Sequence, residues 1–455
     1  LNAAHFDTEY IMELICTRMR GRTSRAIRLV AACAIAGING EAAAAPDGNF
    51  GLPRWLWLQT IEQDPVPAFS SQFGSGVDID GDLLVIGAPH VVVDGIDAGA
   101  AYVYRLVDGT WTLETTLTPD HPQHGGEFGW SVGVAVSSQR EVIVVGESGR
   151  DDGTFIDAGA VTIYERQGTS WPAVAQTTGG ADYARLGYAV DTDGTNLLVG
   201  APFSNGFLGA TVMLRRDDAT GAWIVDHDTR PNAGDEMAGY YGISVALNGD
   251  LALTGALAAR VGAEGVGAAE IANAFADGPL AERIVLHAQE PVAGDEFGRS
   301  VAAHGPTFVV GAPGRDASAG TPNSGSVYVF RRTESGLHLD ARLASALPQD
   351  NAAFGWSVAV FGDALVVGEP KRTVFLLGSE FALAGAISLF GRSDYGIWSL
   401  EMPFYNLGFN EGFGDAVAID GPRAIGAMPR HGSGAAWYVQ RDTIFVDGFQ
   451  DTAPE

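Results

Sequence analysis

Apolar and polar positions alternate in short bursts along nearly the whole chain, and the bursts recur as one phrase. The phrase opens on an aromatic residue or Leu followed by Gly, runs through three residues ending in Val, and crosses a short polar turn. It then continues as a Leu/Val run and closes on Gly-Ala-Pro or a degraded form of it. It opens seven times, at Phe73-Gly74, Phe128-Gly129, Leu186-Gly187, Tyr241-Gly242, Phe297-Gly298, Phe354-Gly355 and Phe413-Gly414, with intervals of 55, 58, 55, 56, 57 and 59 residues. A near-constant period with variable loops is the mark of a closed or stacked array. Within the first repeat the pattern predicts strands over Val77–Ile79, Leu83–Ile86, Ala100–Leu106 and Trp111–Leu117. The second repeats the order with Trp130–Val136, Glu141–Val145, Ala160–Glu165 and a weak run near Val174. Four antiparallel strands per repeat, with no helical period between repeats, predict an all-β, seven-bladed propeller.

The seventh repeat supplies only three strands, at about 415–419, 423–427 and 435–440. The unpaired segment Arg54–Ile61 matches the fourth-strand pattern of Trp111–Leu117, so it is expected to complete the last blade, with Trp57 and Ile61 buried. Such closure removes the open ends of the ring.

The Phe-Gly-x-Ser-Val opening and the Gly-Ala-Pro ending, clearest in Phe297–Val301 with Gly311-Ala312-Pro313 and in Phe73-Gly74 with Gly87-Ala88-Pro89, resemble the FG-GAP repeat of integrin α-subunit propellers and their bacterial relatives. The resemblance covers about residues 54–441 and implies a recognition or adhesion propeller. The family's metal-binding repeats carry a longer Asp-rich loop between the first two strands, since Ca²⁺ gathers six to eight oxygens. Here the nearest approaches, Asp191-Thr192-Asp193-Gly194 and Asp78-Ile79-Asp80-Gly81, are too short, and Asp-Gly is an ordinary hairpin signal. No cofactor is expected.

Residues 1–45 stand outside the repeat and read as upstream sequence followed by a signal peptide from Met19: four Arg, the apolar Leu29–Ile38, then Ala42-Ala43-Ala44. Cleavage is expected near Ala44, giving an exported propeller over 46–441 and a short tail over 442–455. Val30-Ala31-Ala32-Cys33 also resembles a lipoprotein box, but Arg28 leaves too short an apolar run before it. Cys16 and Cys33, the only cysteines, lie in this leader, so no disulfide is expected in the mature chain. The sequence carries a net charge of −28, a poor match for nucleic acid or anionic membranes. No other apolar run approaches a membrane span.

Propeller geometry places the turns between strands one and two on the lower face, and the 2–3 and 4–1 loops on the upper. The long upper loops carry the candidate ligand residues Asp94, Asp97, Glu127, Asp151, Asp152, Tyr240, Asp295, Glu296 and Asp316. They point to a protein or polysaccharide partner, although Asp in such loops also bonds local amides. His121-x-x-His124 is a weak metal candidate, as are Asp191 and Asp193. Gly129-Trp130-Ser131-Val132-Gly133 matches the form of a nucleophile elbow but lacks the strand-turn-helix setting. Ser131 obeys the repeat with Ser244, Ser300 and Ser357, so no catalytic residue is assigned. The rival readings are a hydrolase or lyase on the upper face and a structural surface protein.

Overall fold

The structure, a computed structural model, describes residues 55–63, 70–261, 264–275, 283–317, 320–376, 379–432 and 434–441. The leader and the tail read from the sequence lie outside these residues. Seven four-stranded antiparallel sheets form the blades. Blade one is Val77–Asp80, Leu83–Ala88, Ala100–Val107 and Thr110–Leu117, in that order across the sheet. The first strands of the seven blades touch their neighbours all the way round, blade seven against blade one included. The predicted propeller is therefore the observed fold.

The ring is closed as expected. Trp55–Glu62 pairs antiparallel with Ala435–Arg441 and becomes the outer strand of blade seven. One detail differs. The register slips between Trp57 and Gln59, which turns the two ends of the strand toward opposite neighbours. Trp55 rather than Trp57 is the fully enclosed ring on the blade-six side, while Ile61 packs among Phe73, Tyr438 and Trp111 on the blade-one side.

The phrase itself is the material between blades. Phe73, Phe128, Phe297, Phe354 and Phe413 are fully buried, and Leu186 and Tyr241 nearly so. Tyr241 carries a hydroxyl into this apolar layer, and it donates to Glu270, which also pairs with Arg283 at 3.0 Å. Glycine is required where the backbones meet. A Cβ on Gly87 would lie 1.8 Å from the Gly129 carbonyl oxygen. The serines of the phrase bind the ring together: Ser131, Ser244, Ser300 and Ser357 donate to the carbonyls of Gly187, Gly298, Gly355 and Gly414 of the following blade, at 2.7–2.9 Å.

A second set of ties runs round the outside. The outer strands of blades one, five and six each contain a bulge, at Glu114, Asp340 and Glu401. The extra residue re-aims its carboxylate toward the next blade. There Glu114 accepts from Trp171 Nε1 and Arg166, Asp340 from Trp398 Nε1 and Arg392, and Glu401 from Trp55 Nε1 and Arg441. The N-terminal strand thus enters the same indole–carboxylate clamp as Trp171 of blade two and Trp398 of blade six. No helix among the described residues is long and apolar enough to cross a membrane.

Candidate functional site at the mouth of the axial channel

Each blade is entered through a strained residue. The position before the aromatic-Gly pair has a left-handed φ in every repeat: Gln72 54°, Glu127 59°, Arg185 51°, Tyr240 58°, Glu296 54°, Ala353 61° and Gly412 66°. Six non-glycine residues in a region that L side chains disfavour mark an imposed geometry. The upper loops entering blades two to seven impose it through backbone bonds to the preceding 2–3 loop, among them Gly125 N–H to Asp97, Tyr183 N–H to Ile156, Tyr240 N–H to Phe207 and Gly412 N–H to Leu383. The upper face is a rigid frame carrying variable side chains.

The residue after the aromatic-Gly pair then faces the axis. Ser75, Trp130, Tyr188, Ile243, Arg299, Trp356 and Asp415 line one cavity of about 560 Å³, with Gln72, Pro429 and Arg430. Below them the cavity is walled by the valines of the phrase, Val77, Val132, Val190, Val245, Val301, Val358 and Val417.

The mouth has two unlike halves. Over blades two to four, Trp130 packs at a tilt against Tyr188 at 5.3 Å, Tyr188 meets Phe203 at 5.5 Å, and Phe203 meets Tyr240 at 5.6 Å. Over blades five to seven the groups are charged. The Arg299 guanidinium lies 3.7 Å from the Trp356 ring centre and the Lys371 ammonium 4.3 Å from it. Arg430 pairs with Asp415 at 3.3 Å, and Glu296 lies 3.7 Å from Arg299. Burial pushes the Asp415 carboxyl up to about 6 against the opposing pull of Arg430, Arg299 and Lys371. Lys371 is pulled below its ordinary value by burial first and by Arg299 next.

The carboxylates singled out from the sequence occupy several environments. Asp94 tips an exposed hairpin, and Asp97 sits 3.5 Å from His90. Asp152 caps its own loop through the amides of Thr154 and Phe155, which holds its carboxyl below the usual range, and Asp151 accepts from the Asp157 amide. Asp316 accepts from the Asn323 amide. Asp295 is buried, paired with Arg315 at 2.9 Å, while Glu127 accepts from Ser148 and Arg185. Only Glu296 and Tyr240 join the surroundings of the mouth. His121 and His124 are exposed, and no group of three or more metal-ligating side chains occurs among the described residues.

At the lower end the Asp residues of the short turns are engaged by protein amides. Asp78 accepts from Val134 N–H at 2.7 Å, Asp80 from Val136 N–H at 2.7 Å and Asp191 from Leu247 N–H at 2.7 Å, each reaching across to the next blade. Asp193 caps its turn through the amides of Thr195 and Asn196. Burial raises the Asp191 carboxyl to about 7.

Two sets of residues escape a reading by motif. One is a third glycine series before the third strands, Gly99, Gly159, Gly209, Gly267, Gly325, Gly385 and Gly434, each bridged to the aromatic residue or Leu of the next phrase. A Cβ on Gly99 would lie 2.2 Å from the Phe128 carbonyl oxygen. Its signal was present as a Gly-Ala or Gly-Ser pair at the same phase, preceded by Ala or Ser in five of the seven copies. The other is the set Arg299, Trp356, Lys371 and Arg430, which look like unrelated departures from the repeat until the ring brings them together.

The FG-GAP repeat model matches residues 67–104 and 281–330. Among solved structures, the crystal structure of Saccharomyces cerevisiae Sqt1 aligns with a TM-score of 0.48 at 11% identity, over 85% of this chain and 99% of that one. No curated protein matches the sequence. The matched segments show FG-GAP repeats in this chain, and the seven phrases build a ring of seven four-stranded blades around them.

Proposed function

We propose that this chain is an exported, non-catalytic recognition or adhesion module that contacts a protein or polysaccharide through its upper face. The observation that carries the reading is the contrast within that face: the seven entry residues share one backbone conformation while the side chains around the 560 Å³ cavity differ. Variable groups on a fixed frame are the usual arrangement of a binding surface. The four phrase serines are tied to glycine carbonyls, which argues against a nucleophile among them. Export rests on the leader-like residues 19–44.

The test is a binding screen of the chain from residue 46 onward against envelope polysaccharides and secreted proteins of its source. Replacing Asp151, Asp152 and Asp316, or Tyr240, should weaken binding and leave melting nearly unchanged. Asp363→Ala, in a lower turn, should change neither binding nor melting. Binding lost through Asp363 and untouched by the upper set would reverse the face assignment. The raised Asp415 carboxyl beside three cations supports a second reading, a hydrolase or lyase on this face; turnover abolished by Asp415→Asn would establish it.

A further inference from the structure

Three cations gather around Trp356 and Asp415 on an upper face rich in carboxylates. Arg299 of blade five and Arg430 of blade seven line one end of the cavity, and Lys371 of blade six lies beside it on the ring of Trp356, itself a lining residue. Lys371 is the only lysine in a chain of net charge −28. Among the described residues it is engaged by the Trp356 ring and by no ion pair. The nearby acids Asp415 and Glu296 offset two of the three charges, which leaves about one unit uncompensated. Across the mouth stand the half-buried rings of Trp130 and Tyr188.

We propose that the mouth of the axial channel binds a single carboxylate-bearing sugar unit, such as a hexuronic acid at the end of a glycan. The carboxylate sits against Arg299 and Lys371, and a C–H face of the sugar ring lies on Trp130 and Tyr188. The inference rests on the recognition reading above and narrows it to one ligand class. Three features select that class. A cavity of about 560 Å³ holds one or two sugar rings. Aromatic faces are electron-rich and favour the polarised C–H bonds of a pyranose, whereas a bare anion gains nothing from them. The net negative protein disfavours polyanions, so the ligand's charge must be concentrated in the unit that reaches the axis. An acidic peptide shares the carboxylate but not the ring face, and it is the competing outcome.

The experiment titrates the chain from residue 46 onward with D-glucuronate, D-galacturonate, D-glucose, acetate and a short acidic peptide, reading tryptophan fluorescence and heat. A uronate should bind at least about tenfold more tightly than glucose or acetate, with affinity falling as salt rises. Lys371→Met and Arg299→Met should each weaken it by about tenfold or more, and Trp130→Ala should weaken it without changing its salt dependence. Because Lys371 is the only lysine, its acylation is a single site readable by mass spectrometry, and bound uronate should slow it in the unmutated protein. That measurement does not depend on any variant folding. Equal binding of glucose and uronate, tighter binding of acetate or the peptide, or unprotected Lys371 would each overturn the proposal. A ligand from the wider screen that depends on Tyr240 and Asp151 yet ignores Arg299 and Lys371 would overturn this inference while sustaining the recognition reading. An empty screen would remove both.

Discussion

The two ends of the first strands obey opposite rules although they are only a few residues apart. At the upper end the residue after the aromatic-Gly pair is Ser75, Trp130, Tyr188, Ile243, Arg299, Trp356 and Asp415, with one identity repeated. Two residues on, every blade carries Val. Further down, Asp78, Asp80 and Asp191 reach across to backbone amides of the next blade. Constancy belongs to the valine layer, whereas the Asp contacts below it occur in only some blades, with Gly133, Ala246, Ala302, Ala359 and Ala418 at the place of Asp78 and Asp191; variety at the mouth follows exposure. A ring whose fit is set by its lower and middle layers is free to vary the layer above.

The largest expected effect comes from breaking the ring itself. Deleting residues 46–62 removes Trp55 and Ile61, each worth roughly 1.5–3 kcal/mol of burial, along with the Glu401 clamp. It also bares the edge of Ala435–Arg441. Aggregation or a much lower melting temperature is expected; a soluble deletion that melts like the full chain would show that the closure contributes little.

Substitution in the constant layer should come next. Gly87→Ala drives a methyl group into the Gly129 carbonyl, a backbone contact with no flexible side chain to yield, and should cost about 3 kcal/mol or more in chemical denaturation. Gly180→Ala, where nothing lies within 4 Å, is the control and should be near neutral. Ser300→Ala, which leaves the buried Gly355 carbonyl without its donor, should fall between them at about 1–3 kcal/mol. Equal effects at Gly87 and Gly180 would dissolve the distinction between constant and variable layers.

Much of this architecture was legible because the phrase repeats. Period, blade count and strand order follow from seven copies, and the closing strand follows from its likeness to Trp111–Leu117. What period cannot give is convergence. Lys371 and Arg430 each follow the Pro that closes their phrase while Arg299 follows the Phe-Gly pair of its own, and the three meet only because the ring returns to one axis. The surroundings of the loop carboxylates were hidden for the complementary reason. Asp152 and Asp316 look free in a sequence, yet a short polar side chain in a loop usually finds an amide of its own, as both do. The bulge at the closing strand was also invisible, which exchanged the burial of Trp57 and Trp55.

A subtler difference between the two ends concerns pH. The folded Asp191 carboxyl is raised to about 7, above its unfolded value, so the native state binds the extra proton between about pH 4 and 7. Its contribution to stability is complete below the unfolded value and is lost as pH rises toward 7. Asp191→Asn cannot titrate. Whatever offset arises from giving Leu247 N–H or Thr192 N–H a poorer acceptor, the variant's melting temperature should fall less steeply across that window. Identical slopes for the two proteins would mean that Asp191 carries its charge as readily in the fold as in the unfolded chain.

The smallest expected effect is that of a chelator. A bound ion linked to the folded state would raise its stability by an amount set by free metal and affinity, and removal would lower the melting temperature. Calcium would need several oxygens from one short turn, whereas Asp78 and Asp191 already receive amides from the next blade and Asp193 receives them from its own turn. Recruiting those carboxylates for a cation would mean releasing the neighbouring backbone from them. Melting in the presence of EDTA, with and without added calcium, should therefore be superimposable, and Asp193→Ala should leave that comparison unaltered. A calcium-dependent rise abolished by Asp193→Ala would place an ion at this turn and show that the lower end of the strands, like the mouth, is open to ligands.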